Sequence, residues 1–156
     1  MSPDADVTSV LLFGQVHRAS HQLVHIAEKR LEATGLTWPK FRLLMSLLHS
    51  EQQGNTRGIM PSELSERQNI SRNTASALIG SLESDGYITR APHGDDRRKY
   101  LIQLTPKGRK ILRAQMDNHF TFIGECFASL TAKERQTLCE WLSRVNDHIG
   151  EQIKTL

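Results

Sequence analysis

The stretch of residues 71–108 constrains the fold of this chain most, because it sets a short helix, a helix-ending glycine and two strand-like runs in a row. Ser71 is a residue type that caps helix N-termini, and Gly86 is the type that most often follows a helix C-terminus. The runs at 87–89 and 100–104 are rich in β-branched and aromatic residues, and the segment PHGDDRRK between them predicts a turn. The stretch therefore predicts a helix followed by a β-hairpin, or wing.

A second short helix is predicted directly before this stretch. Pro61 opens the run SELSERQ, and Asn69 follows it with a side chain that tolerates the left-handed backbone of a tight turn. A short helix, a tight turn and a second helix form the helix-turn-helix arrangement. The apolar residues of the second helix recur at helical spacing and predict its buried side: Ala75, Leu78, Ile79 and Leu82.

The other faces of this second helix carry mostly small or polar side chains, which are Arg72, Asn73, Ser76, Ala77, Gly80 and Ser81. A protein surface that approaches the base edges of DNA needs short polar groups and a few long hydrogen-bond donors. A surface helix without such a task usually carries more glutamate and lysine. The composition of these faces therefore favours DNA as the partner of the helix.

The tip of the predicted wing is strongly basic. Arg97, Arg98 and Lys99 follow one another and favour contacts with phosphates, and an arginine here also suits the negative potential of a narrow minor groove. We expect Asp96 to accept a hydrogen bond from Arg98 and to hold its guanidinium extended, which lowers the entropy lost on binding. The alternative is that the run is only a solvated charged turn.

The positive charge of the chain is concentrated around this stretch. Residues 67–113 contain ten Lys and Arg and four Asp and Glu, a balance of +6, whereas the whole chain carries +3. The rest of the chain is therefore acidic on balance. A cationic middle region between near-neutral or acidic ends indicates a module that faces a polyanion.

Long helices are predicted on both sides of this middle region. Helical apolar spacing covers residues 6–33, 37–53 and 106–128, and Thr131 with Glu134 forms a capping box for a last helix. The last helix carries an apolar stripe longer than a small domain usually needs: Leu138, Leu142, Val145, Ile149, Ile153 and Leu156. The stripe predicts a dimer interface between terminal helices, with packing inside one chain as the alternative.

The middle region resembles the MarR (multiple antibiotic resistance regulator) family of winged helix-turn-helix regulators. The runs SELSERQNIS, LESDGYITR and DDRRKYLIQLTPKG carry the similarity, Asp96 and Arg98 match the D-x-R of the family's wing, and the segment LTWPKFRLL extends it. The resemblance implies a mainly α fold with a small β wing in a single domain. Residues 36–108 would form the winged helix-turn-helix lobe, and residues 1–35 and 109–156 the helices of dimerisation.

The same resemblance implies a homodimer that binds a pseudo-palindromic operator in double-stranded DNA, with a recognition helix in the major groove and the wing in the minor groove. Such regulators are often repressors that a small-molecule effector releases, but the sequence identifies no residues for an effector site. The residues that we expect to contact DNA are Ser71, Arg72, Asn73, Thr74, Ser76, Ala77, Arg90, Asp96, Arg97, Arg98 and Lys99.

Other functional classes have less support in the sequence. The glycine-rich phosphate motifs, the H-E-x-x-H metal motif and the G-x-S-x-G nucleophile motif are absent, so we expect neither catalysis nor a cofactor. A winged helix that binds only proteins is an alternative, although such a module does not need the charges of residues 96–99. The chain has no apolar run that could cross a membrane and no signal peptide at its acidic start, so we expect a cytoplasmic protein without a membrane partner.

Histidines and cysteines are the remaining candidates for a sensor. His17, His21 and His25 lie four residues apart on one flank of the first helix, but no nearby cysteine or carboxylate completes a ligand set, so we expect no metal there. Cys126 and Cys139 match no metal-binding spacing, and in a reducing compartment we expect two partly buried thiols. A redox-responsive regulator that uses this pair is the alternative.

Overall fold

Six α-helices, a short 3₁₀ helix (Glu32–Thr34) and a two-stranded sheet are the regular elements of the residues that the computed structural model describes. These residues are 6–93 and 96–154, the side chains of 96–98 and 154 excepted. The elements in chain order are α1 (Val7–Leu31), α2 (Trp38–Gln52), α3 (Pro61–Gln68), α4 (Arg72–Ser84), β1 (Ile88–His93), β2 (Asp96–Leu104), α5 (Pro106–Cys126) and α6 (Ala132–Lys154). No helix within these residues is long and apolar enough to cross a membrane. The prediction of a mainly α fold with a small β wing is confirmed.

Local sequence signals place the boundaries of the helix-turn-helix. Asn69 ends α3 with a left-handed backbone (φ 52°), a conformation that asparagine tolerates better than most residues. Ser71 caps α4, because its Oγ accepts a hydrogen bond from the amide of Thr74 at 3.0 Å. Gly86 follows α4 with φ 75°, where a side chain would strain the backbone. All three predicted boundary residues are confirmed.

The main core lies in the first of two compact units into which the chain divides, Met1–Asp117 and Asn118–Leu156. Its most deeply buried side chains come from helices, from the wing and from the loop before α3: Phe41, Leu43, Leu44, Leu47, Ile59, Leu64, Ile79, Leu82, Ile102 and Leu112. Burial of each such side chain stabilises the fold by about 1.5–3 kcal/mol. Because Ile79 and Leu82 of α4 are buried in this core, the opposite face of α4 is exposed to solvent.

The wing is a two-stranded antiparallel ribbon. The strands pair from their core end, where Ile88 lies opposite Leu104, toward the tip, and the register shifts next to Pro92. The predicted turn over residues 92–99 was wrong at both ends, because both strands continue into that segment and residues 97–99 lie in β2. Each strand of a two-stranded ribbon is an edge strand. Such a strand tolerates proline, which has no N–H group to donate, and a run of long charged side chains.

Ile59 joins the base of the wing to the loop before α3. Its amide donates a hydrogen bond to the carbonyl oxygen of Ile102 at 3.0 Å. The amide of Ile102 donates in return to the carbonyl oxygen of Ile59 at 2.8 Å. The preceding Gly58 has φ 99°, and a Cβ there would lie 2.5 Å from the carbonyl oxygen of Ile102. Only glycine permits this approach, which fastens the wing to the core.

The second unit consists of the end of α5 and the helix α6. The capping box predicted at the start of α6 is confirmed. The amide of Thr131 donates to Oε2 of Glu134 at 2.8 Å, and the amide of Glu134 donates to the hydroxyl of Thr131 at 3.3 Å. These hydrogen bonds hold the pKa of Glu134 below its ordinary value, because they favour the charged carboxylate.

Candidate nucleic-acid interface

The tight turn between α3 and α4 presents the N-terminal half of α4 to solvent. Ala75, Ile79 and Leu82 are at most 1% exposed and hold α4 to the core. Every predicted DNA contact in this segment is exposed: Ser71, Arg72, Asn73, Thr74, Ser76 and Ala77. The buried and exposed sides of α4 are therefore those that its apolar spacing predicts.

The donors on this face differ in availability. Ser71 and Thr74 pair their hydroxyls at 2.8 Å as part of the helix cap. Arg72 and Asn73 form no hydrogen bond or ion pair with the other residues that the structure describes. In the major groove an arginine can pair with guanine and an asparagine with adenine, through two hydrogen bonds each. The free amides at the start of α4 add an attraction for phosphate.

The wing tip carries predicted DNA contacts that the structure describes only in part. Asp96, Arg97 and Arg98 lie in β2, but their side chains are outside the described residues. The hydrogen bond between Asp96 and Arg98 therefore stays a prediction. Lys99 is described and exposed, and it places a cation on the ribbon next to the partly buried Tyr100.

Arg90 has partners within the lobe that the sequence did not indicate. Its Nη2 lies 3.0 Å from Oε2 of Glu83, near the end of α4, and its Cζ lies 4.6 Å from the centroid of the Tyr100 ring. Glu83 and Arg90 belong to different elements, so neither helical nor strand periodicity relates them. Arg90 thus differs from Arg72, because its charge is already engaged by neighbouring side chains.

A second ion pair that the sequence did not indicate joins α2 to α5. Arg109 donates to both carboxylate oxygens of Glu51, with distances of 3.0 Å from Nε and 2.7 Å from Nη2. This contact raises the pKa of Arg109 above its ordinary value, because the carboxylate stabilises the charged guanidinium. The pair borders a groove of about 450 Å³, lined by Leu48, Glu51, Gln52, Thr56, Arg109, Arg113 and Met116.

Two helices expose apolar side chains to water. The first turns of α1 expose large apolar residues on all sides: Val7, Val10, Leu11, Leu12, Phe13 and Val16. On α6, the apolar residues Trp141, Val145, Ile149 and Ile153 recur every four residues and are 42% to 59% exposed. Continuous exposed apolar surface of this kind marks an interaction site. The predicted stripe on the last helix did not include Trp141, and its last member, Leu156, lies outside the described residues.

The candidate sensor residues do not form a shared site. The rings of His17 and His21 meet edge to face with centroids 4.4 Å apart, yet no group of three or more metal-ligating residue types occurs in the described part of the chain. Cys126 is partly buried, whereas Cys139 is exposed. The expectation of two partly buried thiols was therefore wrong for Cys139, because most of α6 in the single chain faces solvent.

Comparisons with known proteins agree with this geometry. The sequence profile of the MarR family matches residues 34–99. The transcriptional repressor YetL of Bacillus subtilis is 28% identical over 93% of this chain and 84% of its own length. The transcriptional repressor MprA of Escherichia coli is 30% identical over 86% of this chain and 74% of its own. The structure of Sco3205, a MarR family regulator from Streptomyces coelicolor in complex with DNA, is similar with a TM-score of 0.83 at 22% identity, over 93% of each chain.

Proposed function

Since the chain belongs to the MarR family of transcriptional regulators, we propose that it is a cytoplasmic repressor that binds a pseudo-palindromic operator in double-stranded DNA as a homodimer. A small molecule releases it from the operator. The observation that carries the proposal is the exposed N-terminal face of α4, with Arg72 and Asn73 unpaired among the described residues, in one lobe with a basic ribbon.

Each part of this lobe suits a different groove of DNA. The major groove admits an α-helix, and the exposed half of α4 offers an arginine and an asparagine beside small side chains that permit close approach. The ribbon carries Lys99 on its outer surface and the predicted contacts Arg97 and Arg98 in the same strand. Contacts to phosphate from such residues position the helix, and contacts to base edges select the sequence.

A second copy of the chain is the partner that the terminal helices favour. The start of α1 exposes large apolar side chains in several directions, and the row from Trp141 to Ile153 gives α6 an apolar edge. A surface helix in a monomer usually has one apolar stripe. A helix with apolar side chains in several directions is usually buried by other protein surfaces. A two-fold dimer encloses these residues and also presents two copies of α4 to the two halves of an operator.

The groove between α2 and α5 is a candidate place for the small molecule. Leu48 and Met116 supply apolar contact, and Gln52 and Thr56 supply neutral hydrogen-bonding groups. Arg113 forms no ion pair with another described residue, and it therefore leaves a cation available at the edge of the groove. A groove that combines apolar walls with a few polar groups has the usual character of a small-molecule site.

Selection of genomic DNA fragments by the purified chain tests the proposal. We expect enrichment of a duplex with two related half-sites, and fluorescence anisotropy of that duplex should show affinity that falls steeply with salt. Arg72→Ala should weaken binding, whereas Arg67→Ala, which removes a cation paired with Glu63 on α3, should not. Failure to enrich any duplex would reject the proposal and favour a winged helix that binds protein.

The release by a small molecule is tested on the same duplex. A panel of small organic acids and phenols is screened for compounds that lower the anisotropy at constant salt. Arg113→Ala should weaken the response to an acid that binds in the groove, without changing DNA affinity in its absence. A compound that releases DNA equally well from the unaltered protein and from Arg113→Ala would indicate that the effector binds outside the groove.

A further inference from the structure

We propose that Glu83, Arg90 and Tyr100 form a brace that holds the wing at a set inclination to α4, and that Arg90 is a positioning residue instead of a DNA contact. We call these three residues the wing brace. The inference rests on the proposed DNA binding, because it concerns how two parts of one lobe reach two grooves. It also changes the role expected for Arg90 from the sequence.

The ion pair of the brace crosses from the helix to the ribbon. Arg90 is the third residue of β1, and Glu83 is the next-to-last residue of α4. The distance of 3.0 Å from Arg90 Nη2 to Glu83 Oε2 permits a charge-assisted hydrogen bond between the two elements. A contact between the end of α4 and the side of β1 limits rotation about the short connection at residues 85–87.

Tyr100 holds the same guanidinium from the opposite strand. In the register of the ribbon Arg90 lies opposite Ile102, and Tyr100 lies opposite Pro92, so Arg90 and Tyr100 are diagonal neighbours. Long side chains at diagonal positions are within reach of each other. The Arg90 Cζ is 4.6 Å from the centre of the Tyr100 ring, within the range of a cation–π interaction. The guanidinium of Arg90 thus contacts both α4 and the opposite strand, while its side chain stays 42% exposed and that of Glu83 39% exposed.

The place of the brace along the ribbon explains what it can control. Ile88 and Ile102, at most 2% exposed, anchor the base of the ribbon in the core. Arg90 follows Ile88 by two residues, so both side chains leave the same face of β1. The tip begins about three residues beyond Arg90, or roughly 10 Å at the rise of a strand. A small tilt at the brace therefore displaces the tip from its groove.

Electrostatics argue against Arg90 as a phosphate contact. The Glu83 carboxylate beside it neutralises its charge, and a phosphate that approached Arg90 would also approach this carboxylate. Arg72 has no ion-pair partner among the described residues, and it is the natural comparison for a true contact. The two roles predict opposite results for loss of Glu83. If Arg90 belongs to the brace, loss of the Glu83 carboxylate weakens DNA binding, because the wing loses a support. If Arg90 binds phosphate, loss of the carboxylate strengthens DNA binding, because the guanidinium loses a competing partner.

The test is a salt series of fluorescence anisotropy titrations on the duplex recovered by genomic selection. Arg90→Ala and Glu83→Ala should each weaken binding by about 2- to 5-fold, the range of an exposed ion pair, with an unchanged dependence on salt, because no phosphate contact is lost. The double substitution should be little weaker than either single one, because the two residues act as a unit. Exchange of the two residues, Glu83→Arg with Arg90→Glu, should restore only part of the affinity, because it restores the ion pair but not the contact of a cation with Tyr100.

Control variants separate the brace from general damage. Tyr100→Phe keeps the aromatic face and should bind like the unaltered protein, whereas Tyr100→Leu should resemble Arg90→Ala. Arg72→Ala should lower the slope of log affinity against log salt by about one if it removes one phosphate contact. A similar fall in slope for Arg90→Ala, together with equal or tighter binding by Glu83→Ala, would overturn the brace.

A measurement without DNA keeps the inference separate from the proposed function. Amide hydrogen exchange in β1 of the free protein should be at least several-fold faster in Glu83→Ala and Arg90→Ala, and unchanged in Tyr100→Phe, because the brace restrains the ribbon. Unchanged exchange in both alanine variants would reject the brace even if DNA binding is established. Absence of duplex binding by the unaltered protein would reject the proposed function alone.

Discussion

α4 and α6 are both amphipathic helices, but they use their apolar sides in opposite ways. α4 buries Ala75, Ile79 and Leu82 in the core of its own lobe and leaves its polar face exposed. α6 instead exposes an apolar row that includes Trp141 and Ile149. α4 therefore covers its apolar side within one chain and exposes polar groups, whereas α6 leaves part of its apolar side uncovered within one chain.

The largest expected effect comes from a charge in the exposed row of α6. Ile149→Asp should raise the dissociation constant of the dimer at least ~100-fold, because a buried unpaired carboxylate costs several kcal/mol. Sedimentation velocity should show a folded monomer, and DNA binding should weaken in parallel. Glu151→Ala, at an exposed polar position of the same helix, is the control and should leave the dimer intact. A dimer that survives Ile149→Asp would show that this row has another occupant.

A smaller effect on DNA binding is expected from substitutions in the wing. Arg98→Ala should weaken binding to the selected duplex by ~1–3 kcal/mol if it removes a groove contact. Anisotropy titration at fixed salt measures the change, and the dimer should persist in sedimentation. Lys99→Ala should cost less and should act through salt dependence, because a lysine contacts phosphate as a point charge. Unchanged affinity of Arg98→Ala would contradict the groove assignment.

The ion pair that joins α2 to α5 should matter for stability more than a surface pair does. Glu51 is 19% exposed, and Arg109→Ala leaves its carboxylate without this partner, so we expect a loss of about 1 kcal/mol in the free energy of unfolding. Urea unfolding measures it. Arg67→Ala, which breaks the more exposed pair with Glu63, should change stability by less than about 0.5 kcal/mol. Equal losses would mean that burial does not distinguish the two pairs.

The smallest effect is expected at the start of α6, and it depends on pH. The hydrogen bonds from Thr131 lower the pKa of Glu134 in the folded chain. A lowered folded pKa means that the stabilisation is present above the unfolded pKa, about 4.3 for glutamate, and is lost as pH falls through the folded value. Helicity followed by circular dichroism between pH 5 and pH 3 should fall less steeply in Glu134→Gln. Identical profiles would show that the capping box does not contribute to this transition.

Short-range signals predicted the parts of the fold that depend on neighbouring residues. The cap at Ser71, the left-handed turn at Asn69 and the capping box at Thr131 each involve a few adjacent residues, so residue type alone identifies them. The buried side of α4 follows from the helical repeat for the same reason. The ends of the wing strands were misplaced, because ladder pairing across the ribbon outweighed the turn preference of Pro92.

The contacts around the candidate site were less predictable, because they join residues far apart in the chain. Glu51 and Arg109 meet only after α2 and α5 pack together, and no periodicity points to the pair. Arg90 was assigned to DNA by resemblance, but its approach to Glu83 depends on the angle between α4 and the ribbon. The exposure of Cys139 likewise depends on which surfaces of α6 the rest of the chain covers.

The sequence by itself therefore determined the helix-turn-helix, the presence of a wing and the polar composition of the exposed face of α4. Local backbone preferences and the helical repeat decide these features, and they act over a few residues. Only the tertiary structure decided which charges are engaged and which apolar surfaces stay open. Ion pairs and burial arise between elements distant in the chain, and their energies depend on distances and solvent exposure that a linear pattern does not contain.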